Sequence, residues 1–413
     1  MSMSKAKKNN AKRDPLIHIT RLPDPKTWHY WLSKLISVIV ALLICAIITT
    51  AMEPGSFGSF FKNLGVGTFS NARQVIRMLQ DSAILLLIAL ALTPAFKMRF
   101  WNIGAEGQVL MGALGSTIVM KFMAGTMPNV LLIFTCLAFA LVFAIVWAVI
   151  PAIFKAFFNT NETLFTLMMN YLAAGLIAYV VFVWVPTGSA VLGIINPDTH
   201  AGWLPPLFGY DYIINIIVVA VITVLLFVYL RFSKHGYELT VVGESQNTAR
   251  YVGINVKKTI IRTLILSGAL CGLVGFLLVN GKDHTLNADL VEGRGFTGIL
   301  VAWLGHFNPF EMIFTAFLVS FITLGGSYTG DIFRFGNAYS KVLIGVFFFV
   351  FIASEFFLKY KINFSSEAQA FFTKIRDFFM RIFAPVGRFF KNLFRKIFKK
   401  KEPLNEDSGS KEE

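Results

Sequence analysis

The sequence predicts an all-α, polytopic transmembrane bundle of about ten spans, and three observations carry that prediction. Hydrophobic residues make up 55% of the 413 positions and charged residues only 15%, against roughly a quarter charged in a soluble chain of this size. The charge is concentrated rather than spread, leaving long stretches almost free of it. Apolar segments run over 35–52, 82–96, 103–120, 129–153, 163–186, 212–230, 263–280, 296–305, 309–325 and 341–358, several of them near the ~20 residues that cross a bilayer as a helix.

The first segment follows a basic arm and has the outline of a signal peptide. Its 34-residue lead is long for one, and Ala51-Met52-Glu53 makes a poor cleavage site, so the run reads as the first membrane anchor. Segments 82–96 and 296–305 are too short to span unaided, and both adjoin glycine motifs. Interrupted helices are tolerated at membrane depth where they are buried in protein or line a cavity. Gly104-x-x-Gly107 followed by an apolar run to Gly115 is echoed by Gly295-x-x-Gly298 and a run to Gly305. The two units lie five spans apart, an odd number, so they face opposite ways. That spacing predicts an inverted repeat with broken helices, although glycine-mediated helix packing produces the same spacing.

Lys and Arg set the orientation. Residues 1–34 carry eight, the 231–262 loop six, and 359–401 twelve, while 187–211 carries none. By the positive-inside rule both termini and 231–262 are cytoplasmic and 187–211 is external. The expected organisation is a cytoplasmic basic arm over 1–34, a transmembrane domain over 35–358 that includes the 231–262 cytoplasmic loop, and a basic cytoplasmic tail over 359–413. Because the net charge of +15 sits in segments flanking apolar spans, it points to the membrane surface and away from nucleic acid.

Several chemistries find no footing. Cys45, Cys136 and Cys271 lie far apart inside apolar runs, as small buried hydrophobes do, and form no disulfide framework. No GxxxxGK[ST] phosphate loop and no HExxH pair occurs, so neither an ATPase nor a zinc site is encoded. No enzyme active site and no cofactor site is expected.

Three polar stretches interrupt the apolar pattern. The first contains Asn102, Glu106 and Gln108. An ionisable group at the mouth of a membrane helix faces a bundle interior or a solute path, or it caps backbone N–H groups at a helix start. In the second, Asn161 and Glu162 suit the start of a helix, and Thr163, Thr166 and Asn170 share one face, a polar stripe that either lines a path or bonds a neighbouring helix. The pathway candidates are therefore Asn102, Glu106, Gln108, Asn161, Glu162, Thr166 and Asn170. In the third, Ser245 to Tyr251 reads as a short helix ended by Gly253, a cytoplasmic handle of the kind a soluble motor needs. Its candidate coupling residues are Gly243, Glu244, Asn247, Arg250, Tyr251 and Gly253.

Taken together, Asn102-Ile103-Gly104-Ala105-Glu106-Gly107-Gln108, Asn161-Glu162 with Leu167-Met168-Met169-Asn170-Tyr171, Gly243-Glu244 with Ala249 to Asn255, Ser267 to Gly272 and Gly295 to Ile299 carry a resemblance. From about 80 to 358 the chain resembles the membrane permeases of bacterial ATP-binding cassette importers, in the branch that handles nucleosides and simple sugars. The resemblance implies an ATPase subunit docked on 236–255, an extracytoplasmic solute-binding lipoprotein and a second, homologous permease in a heterodimer. It also implies a multi-pass location in the bacterial plasma membrane. An ion-coupled secondary transporter using Glu106 or Glu162 is the alternative.

The tail stands outside that resemblance. Phe371, Phe372, Ile375, Phe378, Phe379, Ile382 and Phe383 begin a run of apolar residues at steps of three and four, with Lys and Arg between them. This predicts a basic amphipathic helix contacting membrane lipids over 364–401.

Overall fold

The computed structural model describes residues 17–23, 27–185, 191–336 and 338–364, so the amphipathic tail read from the sequence lies outside the described residues. In chain order the elements are β1 (Ile17–Arg21), α1 (Thr27–Met52), α2 (Phe57–Phe69), α3 (Ala72–Lys97), α4 (Ala105–Phe122), α5 (Asn129–Phe158) and α6 (Glu162–Trp184). They continue with α7 (Ile213–Phe232), α8 (Lys234–Glu244), α9 (Gln246–Tyr251), α10 (Val256–Leu278), α11 (Arg294–Leu304), α12 (Pro309–Ile332), α13 (Ala338–Lys359) and β2 (Tyr360–Phe364). One π-helical turn, Val279–Asp283, extends α10.

Two compact units emerge. Residues 36–352 form the bundle, and the second unit joins the described residues up to Leu35 to those from Ala353 to Phe364. Within the second unit β1 and β2 pair antiparallel, with Ile19 opposite Ile362. Nothing in the local sequence announces this pairing.

Eight helices among the described residues are long and apolar enough to cross a membrane: α1, α3, α5, α6, α7, α10, α12 and α13. With α4 and the 11-residue α11 they account for all ten apolar segments. The segment 82–96 is not a short span. It is the inner part of the 26-residue α3, whose first turns were hidden from the apolar pattern by Arg73, Gln74, Arg77, Gln80 and Asp81.

Burial sorts the helices. α3 and α10 are enclosed over most of their length, whereas α1, α5, α6, α7 and α13 leave most of their apolar surface exposed, as lipid-facing helices do. Small residues bring the interior together. Gly268 and Gly272 of α10 lie against Ala140, Ala144 and Ala148 of α5, and a Cβ on Gly112 of α4 would stand 2.7 Å from the Gly272 Cα. In lipid, where apolar area gives no drive to associate, such backbone contact supplies packing. α3 and α10 run antiparallel: Thr263 contacts Met98 at one face of the bundle, and Lys282 meets Asp81 toward the other.

Candidate functional site

At the end of α3 the chain breaks. Arg99 turns left-handed at a φ of 58°, and the Phe100 N–H donates back to the Ala95 carbonyl at 2.9 Å. Residues 101–104 then carry backbone groups with no helical partner, which is costly in a bilayer unless side chains meet them. The Asn102 side-chain carbonyl accepts from the Gly104 N–H at 3.1 Å and the Gln108 amide at 3.2 Å, and its own amide donates to Ser267 of α10 at 3.2 Å. Thr166 accepts the Ile103 N–H at 3.1 Å. The Asn170 amide donates to the Ile103 carbonyl at 2.9 Å, and its carbonyl accepts the Gly107 N–H at 2.8 Å. Four sequence candidates, Asn102, Gln108, Thr166 and Asn170, thus meet in one buried network.

Glu106, in the first turn of α4, reaches across to α11. Its Oε1 accepts the Gly293 N–H and its Oε2 the Gly295 N–H, both at 2.8 Å. These are donors that a helix start leaves without an internal partner. The carboxylate therefore caps α11 rather than its own helix, and it stands at the positive ends of both helix dipoles. From this junction the two helices diverge. Ser116 of α4 hydrogen-bonds Asn280, beyond α10, whereas Trp303 of α11 packs on Trp101 near the Met98 face, with centroids 5.8 Å apart. The N-termini of the two half-helices meet and their C-termini point to opposite faces, the arrangement of paired broken helices.

Toward the Asn280 face the junction is flanked by charge. Asp81 of α3 pairs with Lys282 at 2.8 Å and with Arg294 at 3.5 Å, and Arg294 also holds Glu292 at 2.8 Å. The segment 192–204 is clasped over this end. The Ile195 N–H donates to the His284 carbonyl at 2.8 Å, and the Leu204 N–H to the Asn280 carbonyl at 2.8 Å. Trp203 is sandwiched between the His200 and His284 rings, with centroids 4.3 and 3.7 Å away.

Asn161 and Glu162 sit apart from the network. Asn161 caps α6 by accepting the Leu164 N–H at 3.2 Å, and Glu162 pairs with Lys155 of α5 at 2.8 Å.

The handle occupies the Met98 face. Gly243 lies so tightly on the Lys97 carbonyl that any side chain there would collide with the end of α3. His235 ties α8 to two spans, with Nδ1 2.8 Å from the Tyr229 hydroxyl and Nε2 3.1 Å from the Thr263 hydroxyl. Burial pushes its imidazole below the ordinary value, and the nearby Arg262 charge adds to the effect. Ser245 caps α9 by accepting the Thr248 N–H at 3.2 Å, and Gly253 follows it at a φ of 82°. Glu244, Asn247, Arg250, Tyr251 and Gly253 are exposed, with Tyr251 at 92%. Of the six coupling candidates only Gly243 turns inward.

Asp81, Lys282 and Arg294 escaped the sequence reading. Their signal was available as opposite charges at the ends of apolar segments, where ionisable groups need partners. Asn280 had no comparable mark, and Ser267 stood out only as the first residue of the Ser267 to Gly272 stretch.

Comparison with known proteins adds relationship to this geometry. Residues 74–352 match the family described as "Branched-chain amino acid transport system / permease component". The chain is 26% identical over 356 residues, 83% of its length and 92% of the relative's, to the glucose ABC transporter permease protein TsgB13 of Haloferax volcanii. It is 27% identical over 310 residues (71% of the chain, 83% of the relative) to the nucleoside ABC transporter permease protein NupB of Lactococcus lactis. Against the guanosine ABC transporter permease protein NupP of Bacillus subtilis the identity is 26% over 304 residues, 73% and 86% of the two chains. No solved structure matches.

Proposed function

We infer the activity from the premise that the chain belongs to the branched-chain amino acid transport system / permease component family: it is a multi-pass permease subunit of an ATP-binding cassette importer. Its solute, we propose, is a nucleoside or a related simple sugar, carried inward across the bacterial plasma membrane. The named relatives that carry guanosine, nucleosides and glucose support this choice. ATP is hydrolysed on a separate subunit docked at the exposed face of α8 and α9. A second, homologous permease and an extracytoplasmic binding lipoprotein complete the assembly.

The observation that carries the mechanism is the meeting of α4 and α11 at Glu106. In this reading the handle is the moving part. α8 is packed on the end of α3 through Gly243 and tied to α10 through His235 and Thr263. Motion of the docked motor therefore shifts α3 and α10, the two enclosed helices that flank the half-helix junction. Asn102, Gln108, Thr166 and Asn170 keep the break before α4 satisfied while it moves. Glu106 holds the two starts together as a positioning residue, Glu162 fixes α6 to α5, and Asn161 caps α6.

The test is reconstitution of the chain with its partner permease, ATPase and binding protein in vesicles. Guanosine uptake is expected only with ATP, and collapsing the ion gradients is expected to leave it unchanged. Uptake that follows an ion gradient without ATP would overturn the reading.

A further inference from the structure

A cavity of about 460 Å³ opens at the Met98 face, between the first turns of α8, the 252–255 linker and the first two turns of α10. Lys234, Lys258 and Arg262 line it against one carboxylate, Glu238, an excess of two positive charges. Among the described residues none of the three cations pairs with a carboxylate. Clustered charges of one sign repel one another, and an anion seated among them would relieve that repulsion.

The α10 wall shows where the cavity stands in the bilayer. α10 is enclosed along most of its length, and its exposed positions are Lys257, Lys258, Arg262 and Ile265. Lys258, Arg262 and Ile265 are spaced i, i+4 and i+7, so they share one face. Along that face charge gives way to apolar surface between Arg262 and Ile265, which is 40% exposed. Such a change marks the level at which lipid headgroups give way to acyl chains. The neighbouring spans carry the same mark. The Arg231 guanidinium lies 5.8 and 5.9 Å from the Phe227 and Phe232 ring centroids at the end of α7. The Lys257 ammonium lies 4.7 Å from the Phe157 centroid at the end of α5. Cations over aromatic surface at the ends of spans are a feature of the membrane interface.

These features choose among anions. An acidic protein segment would answer the charge alone, whereas a phospholipid answers both the charge and the apolar face that continues from it. The planar guanidinium of Arg262 suits two oxygens of one phosphate, and the two lysines supply point charges. Tyr237 and Val252, both more than half exposed, add apolar surface to the wall. Of the six coupling candidates only Gly253 lines the cavity, so Asn247, Arg250 and Tyr251 are left for the motor.

We propose that this cavity binds the phosphate headgroup of an anionic phospholipid of the cytoplasmic leaflet, held by Lys234, Lys258 and Arg262, with its acyl chains along Ile265. Basic pockets between spans on the cytoplasmic side take such headgroups. The site is separate from the basic tail. It requires the cytoplasmic placement of this face and is independent of the solute carried.

The experiment uses the assembled full-length transporter in phosphatidylcholine nanodiscs containing a photoactivatable phosphatidylglycerol, with cross-linked peptides identified by mass spectrometry. Labelling is expected within 234–238 and 252–265, and unlabelled phosphatidylglycerol should compete for it where phosphatidylcholine does not. Lys258→Gln/Arg262→Gln should reduce this labelling about tenfold and leave labelling of the tail unchanged. Lys258→Arg keeps the charge and should label like wild type, and melting temperature shows that each variant is folded. Equal labelling of wild type and the double Gln variant, or labelling confined to the tail, would overturn the proposal. Displacement of the lipid by inorganic phosphate would overturn it in favour of a free anion. Labelling present in the permease alone and lost once the ATPase is bound would give the cavity to the motor instead. Each of these results leaves the test of ATP-dependent uptake untouched.

Discussion

Gly295 lies directly against Glu106, its N–H donating to Oε2 at 2.8 Å, and a Cβ on Gly295 would stand 2.7 Å from the Glu106 backbone nitrogen. The contact joins residues 189 positions apart and brings the starts of the two half-helices into backbone contact. Gly295→Ala must push them apart. It is expected to lower stability by about 1–3 kcal/mol, as forced overpacking does, and to reduce permease abundance in the membrane. Gly293→Ala should also weaken the junction, but through strain, since Gly293 has a φ of 78° and open space around it. A Gly295→Ala protein with unchanged melting temperature would refute the close contact.

The handle separates two kinds of residue. Gly243→Leu should fail at assembly, because the Lys97 carbonyl leaves no room beside Gly243. Arg250→Ala and Tyr251→Ala remove exposed side chains, so folding should be intact while ATP hydrolysis no longer drives uptake. The check is melting temperature alongside coupled transport. Normal uptake in the Arg250→Ala/Tyr251→Ala double variant would remove this surface from the coupling path.

His235 gives the handle a pH dependence. Burial lowers its proton affinity in the folded state, so the folded protein favours the neutral ring and binds fewer protons than the unfolded chain. The sign follows by linkage. Stability is intact above the ordinary imidazole value of 6.5 and is lost as pH falls below it toward the depressed folded value. Melting temperature measured from about pH 8 to 5 should decline on the acid side, and His235→Gln should flatten that decline. An identical slope in the variant would exclude His235 as its source.

Topology has a direct chemical test. The three native cysteines are buried, so a membrane-impermeant thiol reagent reports on an introduced one. Thr199→Cys should react from outside, and Ser245→Cys and Ser410→Cys only after the membrane is opened, following the Lys and Arg distribution. Reaction of Ser245→Cys in intact cells would invert the assignment of the handle to the motor side.

Composition and apolar run length exposed the helical class and the ten segments because both are local properties. The α9 handle was legible for the same reason, since Ser245 and Gly253 mark its ends within a few residues. The outer turns of α3 were not, because Arg73, Arg77 and Asp81 broke the apolar run. In the fold Asp81 is neutralised by Lys282 and Arg294, about two hundred positions away in sequence. The same non-locality hid the pairing of β1 with β2. The motif at 102–108 stood out as polar residues in an apolar context, but its partners did not. Whether Glu106 capped its own helix or another depended on where Gly293 and Gly295 would be brought, and only the folded chain decides that.

The most direct test of the account is the paired stability and transport of Glu106→Ala. Each charge-assisted hydrogen bond of the carboxylate contributes ~1.5–3 kcal/mol, and its loss leaves the Gly293 and Gly295 N–H groups without a partner. Melting temperature and membrane abundance are expected to fall clearly, and Glu106→Gln is expected to rescue only part, since one amide oxygen replaces two carboxylate oxygens. Uptake per folded permease should change less than about tenfold, as expected of a carboxylate whose role is to position the helices. A variant of normal stability and abundance whose transport is abolished would contradict the account and place Glu106 on the solute path.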